Sequence, residues 1–410
     1  MSDFASSANG VLRYIEEVTP GTTPGSGNGT NLRFTTPTMK AAVATVKSNE
    51  VRPDRLKTGS VRSDLNLDGG FNFELSGKEY DPFFESLLCD TWSHYGVSGL
   101  GVSFTATTLA GSITAGSATS GSSDFSNIGL GEWIKVIPPS GASQAVKDYF
   151  ADRWFKTHAS TAATSTVITL DASTPIEAPG IVTGVAGYKV SQSIISNGTT
   201  KKYHTLEYGL TDISEYMAFR GMRANTMDLN IDVGAIITGS FGFVGLGHSS
   251  VTASTLPGSP IDSQTLDPLS AVTDVGTIYE AGTDLLANGS FIKSVKLNVN
   301  NNLRGQKAVA VYGNAGIGDG ELALSGQLEV YMADAAYYRK WINGTNTKFT
   351  LGMADADGNG YLYDFGKVTF RDVGFNPGGT ADDVMLTLPF DAYYDPATGK
   401  GIRVFRAIAA

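Results

Sequence analysis

The chain has 410 residues, 41% of them hydrophobic and 10% aromatic, enough for two or three folded domains and unlike a disordered sequence. Its formal net charge of −10 argues against a nucleic-acid-gripping protein, because that affinity comes from Lys and Arg neutralising phosphates, although DNA could still pass close by without sticking. A lone cysteine, Cys89, excludes an internal disulfide and a multi-cysteine metal site, and no run of about 18 apolar residues offers a helical membrane span.

Forty-nine glycines amid abundant Thr, Ser and Val predict many strands joined by turns. The opening residues lack the basic and apolar regions of a secretory leader, so the expected compartment of folding is the cytoplasm. Val11 to Val18 reads as an apolar strand, and the Pro/Gly-rich stretch Thr19 to Thr30 as an arm that leaves it. Next comes a run of mixed charge, Glu50, Arg52, Asp54, Arg55, Lys57, Arg62 and Asp64. It suits a loop docking on a complementary surface and a solvated hairpin equally well. Phe71, Phe73 and Leu75 then alternate as a strand with one buried face.

A short helix is expected to open at Asp81-Pro82, with Asp81 as its cap and Phe83, Phe84, Leu87 and Leu88 on one face. Cys89, in the same apolar stretch, reads as a buried structural thiol. Residues 1–98 would form the N-terminal part of a first half. Residues 99–198, rich in Ser, Thr, Gly and Ala, read as an inserted small barrel or sandwich on the exterior. Its strands would include Glu132 to Ile137 and Thr166 to Leu170, with Trp133, Trp154 and Phe155 as core. Residues 199–225 would return to complete the first half, leaving 226–410 as the second.

In that second half Met227, Leu229 and Ile231 alternate, as do Leu386, Leu388 and Phe390, while Ser249 to Gly276 reads as a linker or long exposed loop. A second helix is expected near Asp334, with Tyr337, Tyr338, Trp341 and Ile342 as its core face. Those four repeat the spacing of Phe83, Phe84, Leu87 and Leu88 at an offset of 254. Leu328-Glu329-Val330 repeats Phe73-Glu74-Leu75 at 255, and Asn301-Asn-Leu303-Arg304-Gly-Gln-Lys307 follows Asn49-Glu-Val51-Arg52-Pro-Asp-Arg55 at 252. Three ordered matches at nearly one offset predict an internal duplication.

Chemistry is hard to find. His94, His158, His204 and His248 have no ligand-like spacing, so neither metal nor cofactor is expected. Asp355-Ala-Asp357-Gly-Asn359-Gly360 resembles the opening of a calcium loop, but its twelfth position is Gly366 and its flanks alternate as strands, which favours a hairpin turn. No nucleophile elbow, phosphate loop or dinucleotide fingerprint occurs in a strand-to-helix setting. The pairs Glu16-Glu17 and Asp382-Asp383 sit in ordinary surface-like sequence. No catalytic residue is assigned, and the chain reads as a building block, not an enzyme.

These same segments resemble the tail tube proteins of long, non-contractile-tailed bacteriophages, in particular the two-domain kind. Tyr14-Ile-Glu-Glu17 with Gly21-Thr-Thr-Pro24 is similar to the family's opening. Glu50 to Arg55, Phe73-Glu-Leu-Ser76 and the Phe83 to Leu88 helix resemble its first core, and Gly239-Ser-Phe-Gly-Phe243 with Met385-Leu-Thr-Leu-Pro-Phe390 its second. The resemblance runs from about residue 11 to residue 395 and rests on the order of these strings. It implies a mainly β fold: two tandem tail-tube halves, each a curved sheet plus a short helix, with a small β domain inserted.

It further implies trimeric, pseudo-sixfold rings stacked into a conduit for DNA, built in the host cytoplasm for the virion tail. The implied partners are other copies, tape measure and terminator proteins, and DNA passing without specific binding. By position, Glu50, Arg52, Asp54, Arg55, Lys57 and Arg62, their counterparts Leu303, Arg304 and Lys307, and the N-terminal arm are expected to make subunit or ring contacts. The alternatives are a carbohydrate-binding or adhesive β-rich surface protein, or another ring component of the tail such as a terminator or adaptor.

Overall fold

A computed structural model describes residues 4–95, 102–109, 111–118, 125–174, 176, 186–286, 291–332, 334–376 and 383–409. The fold is mainly β. In chain order, β1 (Gly10–Glu17), β2 (Lys40–Lys47), β3 (Ser60–Glu74) and α1 (Asp81–Leu88) come first. α2 (Gln144–Ala151) lies in the Ser/Thr/Gly-rich region, and β4 (Tyr203–Leu210), β5 (Glu215–Asp232), β6 (Thr238–Val244) and β7 (Gly247–Val251) follow it. The remainder is β8 (Thr277–Glu280), β9 (Ile292–Asn300), β10 (Ala323–Tyr331), α3 (Ala336–Ile342), β11 (Thr347–Ala354), β12 (Gly360–Phe370), β13 (Met385–Ala392) and β14 (Arg403–Ala407).

Antiparallel pairing gives the order β1-β4-β5-β6-β3-β2. The later strands repeat it as β8-β11-β12-β13-β10-β9. α1 follows β3 as α3 follows β10. Even the irregularities coincide: β4 and β5 step from His204↔Met222 to Leu206↔Phe219, and β11 and β12 from Thr347↔Val368 to Phe349↔Phe365. The two sets fuse through β5 and β9, in register from Thr226↔Asn300 to Asp232↔Ser294. One continuous core fills both, from Phe71, Phe73 and Phe83 to Leu328, Phe349 and Phe390.

The Ser/Thr/Gly-rich region builds a separate core from Ile113, Phe125, Ile134, Val136, Phe150, Phe155, Ile168 and Val190. Lys135 is wholly buried there. Its Nζ donates to the carbonyls of Phe150, Ala151 and Arg153 at 2.8, 2.7 and 2.8 Å, closing the C-terminal end of α2, while burial pushes its pKa down to about 7. Trp133 and Trp154 pack elsewhere than expected, against Leu362, Phe405 and Ala407, so they seat this region on β12 and β14.

Several local expectations give way to long-range contacts. The boundary expected at residues 225 and 226 falls inside the unbroken β5, and β6 beyond it pairs with β3. The boundary at 98 and 99 lies outside the described residues. The N-terminal stretch is no free arm: Gly21 N–H donates to Glu17 at 2.7 Å, Thr23 bonds Thr205, and Thr30–Leu32 folds back on β1. The supposed linker after Ser249 begins inside β7, and Ile261 exchanges backbone bonds with Gly29 and Asn31. Asp81 is the first residue of α1, not its cap; Tyr80 occupies that place. The second helix starts at Ala336, whose N–H donates to the Asp334 carboxylate at 2.7 Å.

Candidate assembly surfaces

β2 and the first part of β3 form a hairpin exposed along its length, with the sequence-predicted charges on it. The Arg52 guanidinium pairs with Asp54 at 2.8 Å, holding that carboxyl below the usual range, and Thr58 donates to Glu50 at 2.5 Å. Arg55 sits in the left-handed region at φ 64°, the sharp point of the loop. Arg55, Lys57 and Arg62 stay exposed, as do the apolar side chains of Val51, Leu56 and Val61.

The counterpart loop is drawn inward. Lys307 Nζ reaches Asp64 at 2.8 Å, Asn66 at 2.9 Å and the Leu65 carbonyl at 3.2 Å, so it braces the base of the hairpin and keeps the Asp64 pKa low. Leu303 N–H donates to Asn225 and Arg304 to the Asp319 carbonyl. Both predicted loops therefore meet at the base of the hairpin, and Lys307 is already engaged within its own chain.

The two helices differ sharply. Phe83 packs on its own sheet, 5.0 Å from Tyr14 and 5.2 Å from Phe71 by ring centroids. Phe84 touches Phe241 of the same sheet at 5.6 Å and also reaches the other one, 5.4 Å from Tyr361 and 6.3 Å from Tyr363 on β12. α1 is thus enclosed between the two sheets, and Leu87 and Leu88 are buried with it. On α3 the core face is only half realised: Tyr337 meets Phe370 at 6.0 Å and Trp341 packs partly on the core, but Tyr338 and Ile342 are 40% and 61% exposed. The reason is that nothing in the described chain stands over α3 as β12 stands over α1.

Sequence reasoning missed the polar seam beside α1. Arg406 on β14 pairs with Asp81, whose other oxygen accepts from Tyr361 at 2.7 Å. The same guanidinium bonds Ser193 at 3.1 Å and lies 4.9 Å from the Trp92 ring. Asp81 looked like a cap because Asp-Pro carries that local signal; its partner lies 325 residues away. The calcium-like segment is a turn between β11 and β12, with Asp355 accepting from Asp357 N–H, Asn359 N–H and the Asn359 amide. Among the described residues no three His, Cys, Asp or Glu side chains converge to hold a metal, and no helix is long and apolar enough to cross a membrane. Cys89 is buried, and Asp382 lies outside the described residues.

A repeated antiparallel sheet with one helix enclosed and its counterpart bared defines a β-rich protein built from two related halves. The sequence matches the family described as Phage tail tube protein over residues 7–392, and the chain belongs to that family. No curated protein matches it. Membership implies a structural, non-enzymatic part in the virion tail and self-assembly into a tube with other tail proteins.

Proposed function

We propose that this chain is the two-domain kind of tail tube subunit from a long, non-contractile tail. Three copies close a pseudo-sixfold ring, and rings stack into a conduit for DNA. Tape measure and terminator proteins meet this tube, and assembly takes place in the host cytoplasm. The inserted region decorates the exterior.

The observation that carries the reading is an internal junction with its two halves left open at the ends of the chain. β5 accepts β4 on one side as far as Met222, then β9 on that same side from Thr226 onward. The equivalent side of β12 accepts β11 as far as Val368; beyond it, Thr369 to Gly374 has no strand partner there among the described residues. The equivalent of β9 is the segment running from Thr36-Pro37 into β2, since Lys40↔Asp68 matches Asn300↔Ala323 at the strand offset of 255. Among the described residues its sole strand partner is β3. Open edges are hazardous in a monomer and are relieved when a copy's edge pairs with its neighbour's. A contact between two different surfaces closes into a ring when the rotation permits.

Phe73↔Gly239 matches Leu328↔Leu388, so Thr226, paired with Gly242, corresponds to Thr369, paired with Asp391, residues 223–225 being extra in β5. Lys40 of one copy then lies beside Thr369 of the next. Assembled tubes of the Lys40→Cys/Thr369→Cys variant should oxidise to covalent oligomers ending at three chains, with either single variant giving none. A series ending at six chains, or no cross-link in intact tubes, would refute the three-copy ring.

A further inference from the structure

The helix Ala336–Ile342 carries the chain's most pointed asymmetry. Phe84 and Leu88 on α1 are 1% and 2% exposed; their counterparts on α3, Tyr338 and Ile342, are 40% and 61% exposed. Phe84 is covered by β12, whose Tyr361 and Tyr363 belong to the other half. The shared irregularity between β4–β5 and β11–β12 gives the equivalents of those residues. Val368 corresponds to Met222 and Phe365 to Phe219, so Tyr363 corresponds to Met217 and Tyr361 to Glu215.

Met217 is partly buried at the margin of the core, paired across strands with Tyr208, which is partly buried as well. Beside them Glu215 stands at the start of β5, and α3 presents an exposed Arg339 next to Tyr338. Apolar surface and opposite charge therefore occur on both faces, at the positions that one chain joins internally.

We infer that α3 docks on a second copy of this chain, with Tyr338 and Ile342 covered by the Glu215–Met217 end of that copy's β5 as Phe84 and Leu88 are covered within the chain. The inference rests on the ring reading above and deepens it. The edge strands join neighbours along the sheet, and α3 seals the same boundary from the helical side. An exposed aromatic closing against a partly buried apolar strand end is the kind of anchor that carries interface energy. Because Tyr338 and Ile342 are exposed in the free subunit, changing them should leave its folding intact.

The test uses full-length chain with two sets of variants. In assembled tubes of Tyr338→Cys/Met217→Cys, a short bismaleimide should join separate chains, and neither single variant should be joined. Tyr338→Asp/Ile342→Asp should keep the wild-type melting temperature as a monomer and form no closed rings. Tubes of normal morphology from the aspartate variant would overturn the inference, as would wild-type-like tubes of the cysteine variant without inter-chain cross-links. Failure of the unmodified chain to form tubes under any assembly condition would instead overturn the ring reading beneath it.

Discussion

Asp81→Ala removes the carboxylate that joins α1 to the C-terminal strand across the seam between the two sheets. It leaves the Arg406 guanidinium, 4% exposed, with Ser193, the His94 ring nitrogen at 3.3 Å and the Trp92 face but no carboxylate. Stranding one partner of a buried pair costs about 3–5 kcal/mol, whereas replacing both by apolar groups is often neutral. The Tyr361 hydroxyl also loses its acceptor at 2.7 Å, an added cost of about 1 kcal/mol. Arg406→Met should be comparably destabilising, because it buries Asp81 unpaired. The double variant Asp81→Ala/Arg406→Met should lose at least about 2 kcal/mol less than the sum of the singles, a coupling typical of contacting charges. Urea unfolding of the monomer, followed by tryptophan fluorescence, measures all four species. A single Asp81→Ala effect within about 0.5 kcal/mol, the range of an ordinary surface change, would mean that the pair does not brace the seam; strict additivity would mean the same.

Other outcomes follow from the same geometry. His204 is fully buried, both ring nitrogens lack a hydrogen-bond partner among the described residues, and burial pulls its pKa down to about 3. The unfolded chain takes up a proton below about pH 6.5 that the folded chain refuses, so stability falls as pH drops from there toward 3. At pH 5 the loss is about 2 kcal/mol relative to pH 7.5, and His204→Leu should flatten that slope in urea unfolding. Arg52→Glu/Arg55→Glu should leave monomer stability within about 0.5 kcal/mol, since both are exposed, yet impair tube formation scored by negative-stain microscopy. Normal-length tubes would count against the hairpin as an assembly contact. The Asp355 carboxylate is filled by its own turn, so millimolar calcium should leave the melting temperature unchanged; a rise of several degrees would mark a metal site.

Much of the plan was legible wherever the signal was periodic. Phe83, Phe84, Leu87 and Leu88 mark a helix by spacing alone, and Phe71, Phe73 and Leu75 a half-buried strand, because burial imposes those periods. The duplication was visible for the same reason, through pairs such as Phe73 and Leu328. What sequence could not convey was which partner each face would meet. Tyr338 and Ile342 look as apolar as Phe84 and Leu88, but only α1 has a second sheet above it in the same chain. Thr19 to Thr30 has the composition of a loose arm, and it is pinned by Thr205 and Ile261, far away in sequence. Asp81 carries a cap's local signature and serves a buried pair instead. Local chemistry fixes propensity; the partner that overrides it arrives from elsewhere in the chain.

In the proposed ring one chain supplies two of six equivalent positions. Electron cryomicroscopy of assembled tubes, reconstructed without imposed symmetry, tests it most directly. Threefold rings are expected, in which β1–β6 and β8–β13 alternate at equal radius, with Lys40 of each copy beside Thr369 of the next. Six copies per ring, or the two sheets at different radii, would contradict it.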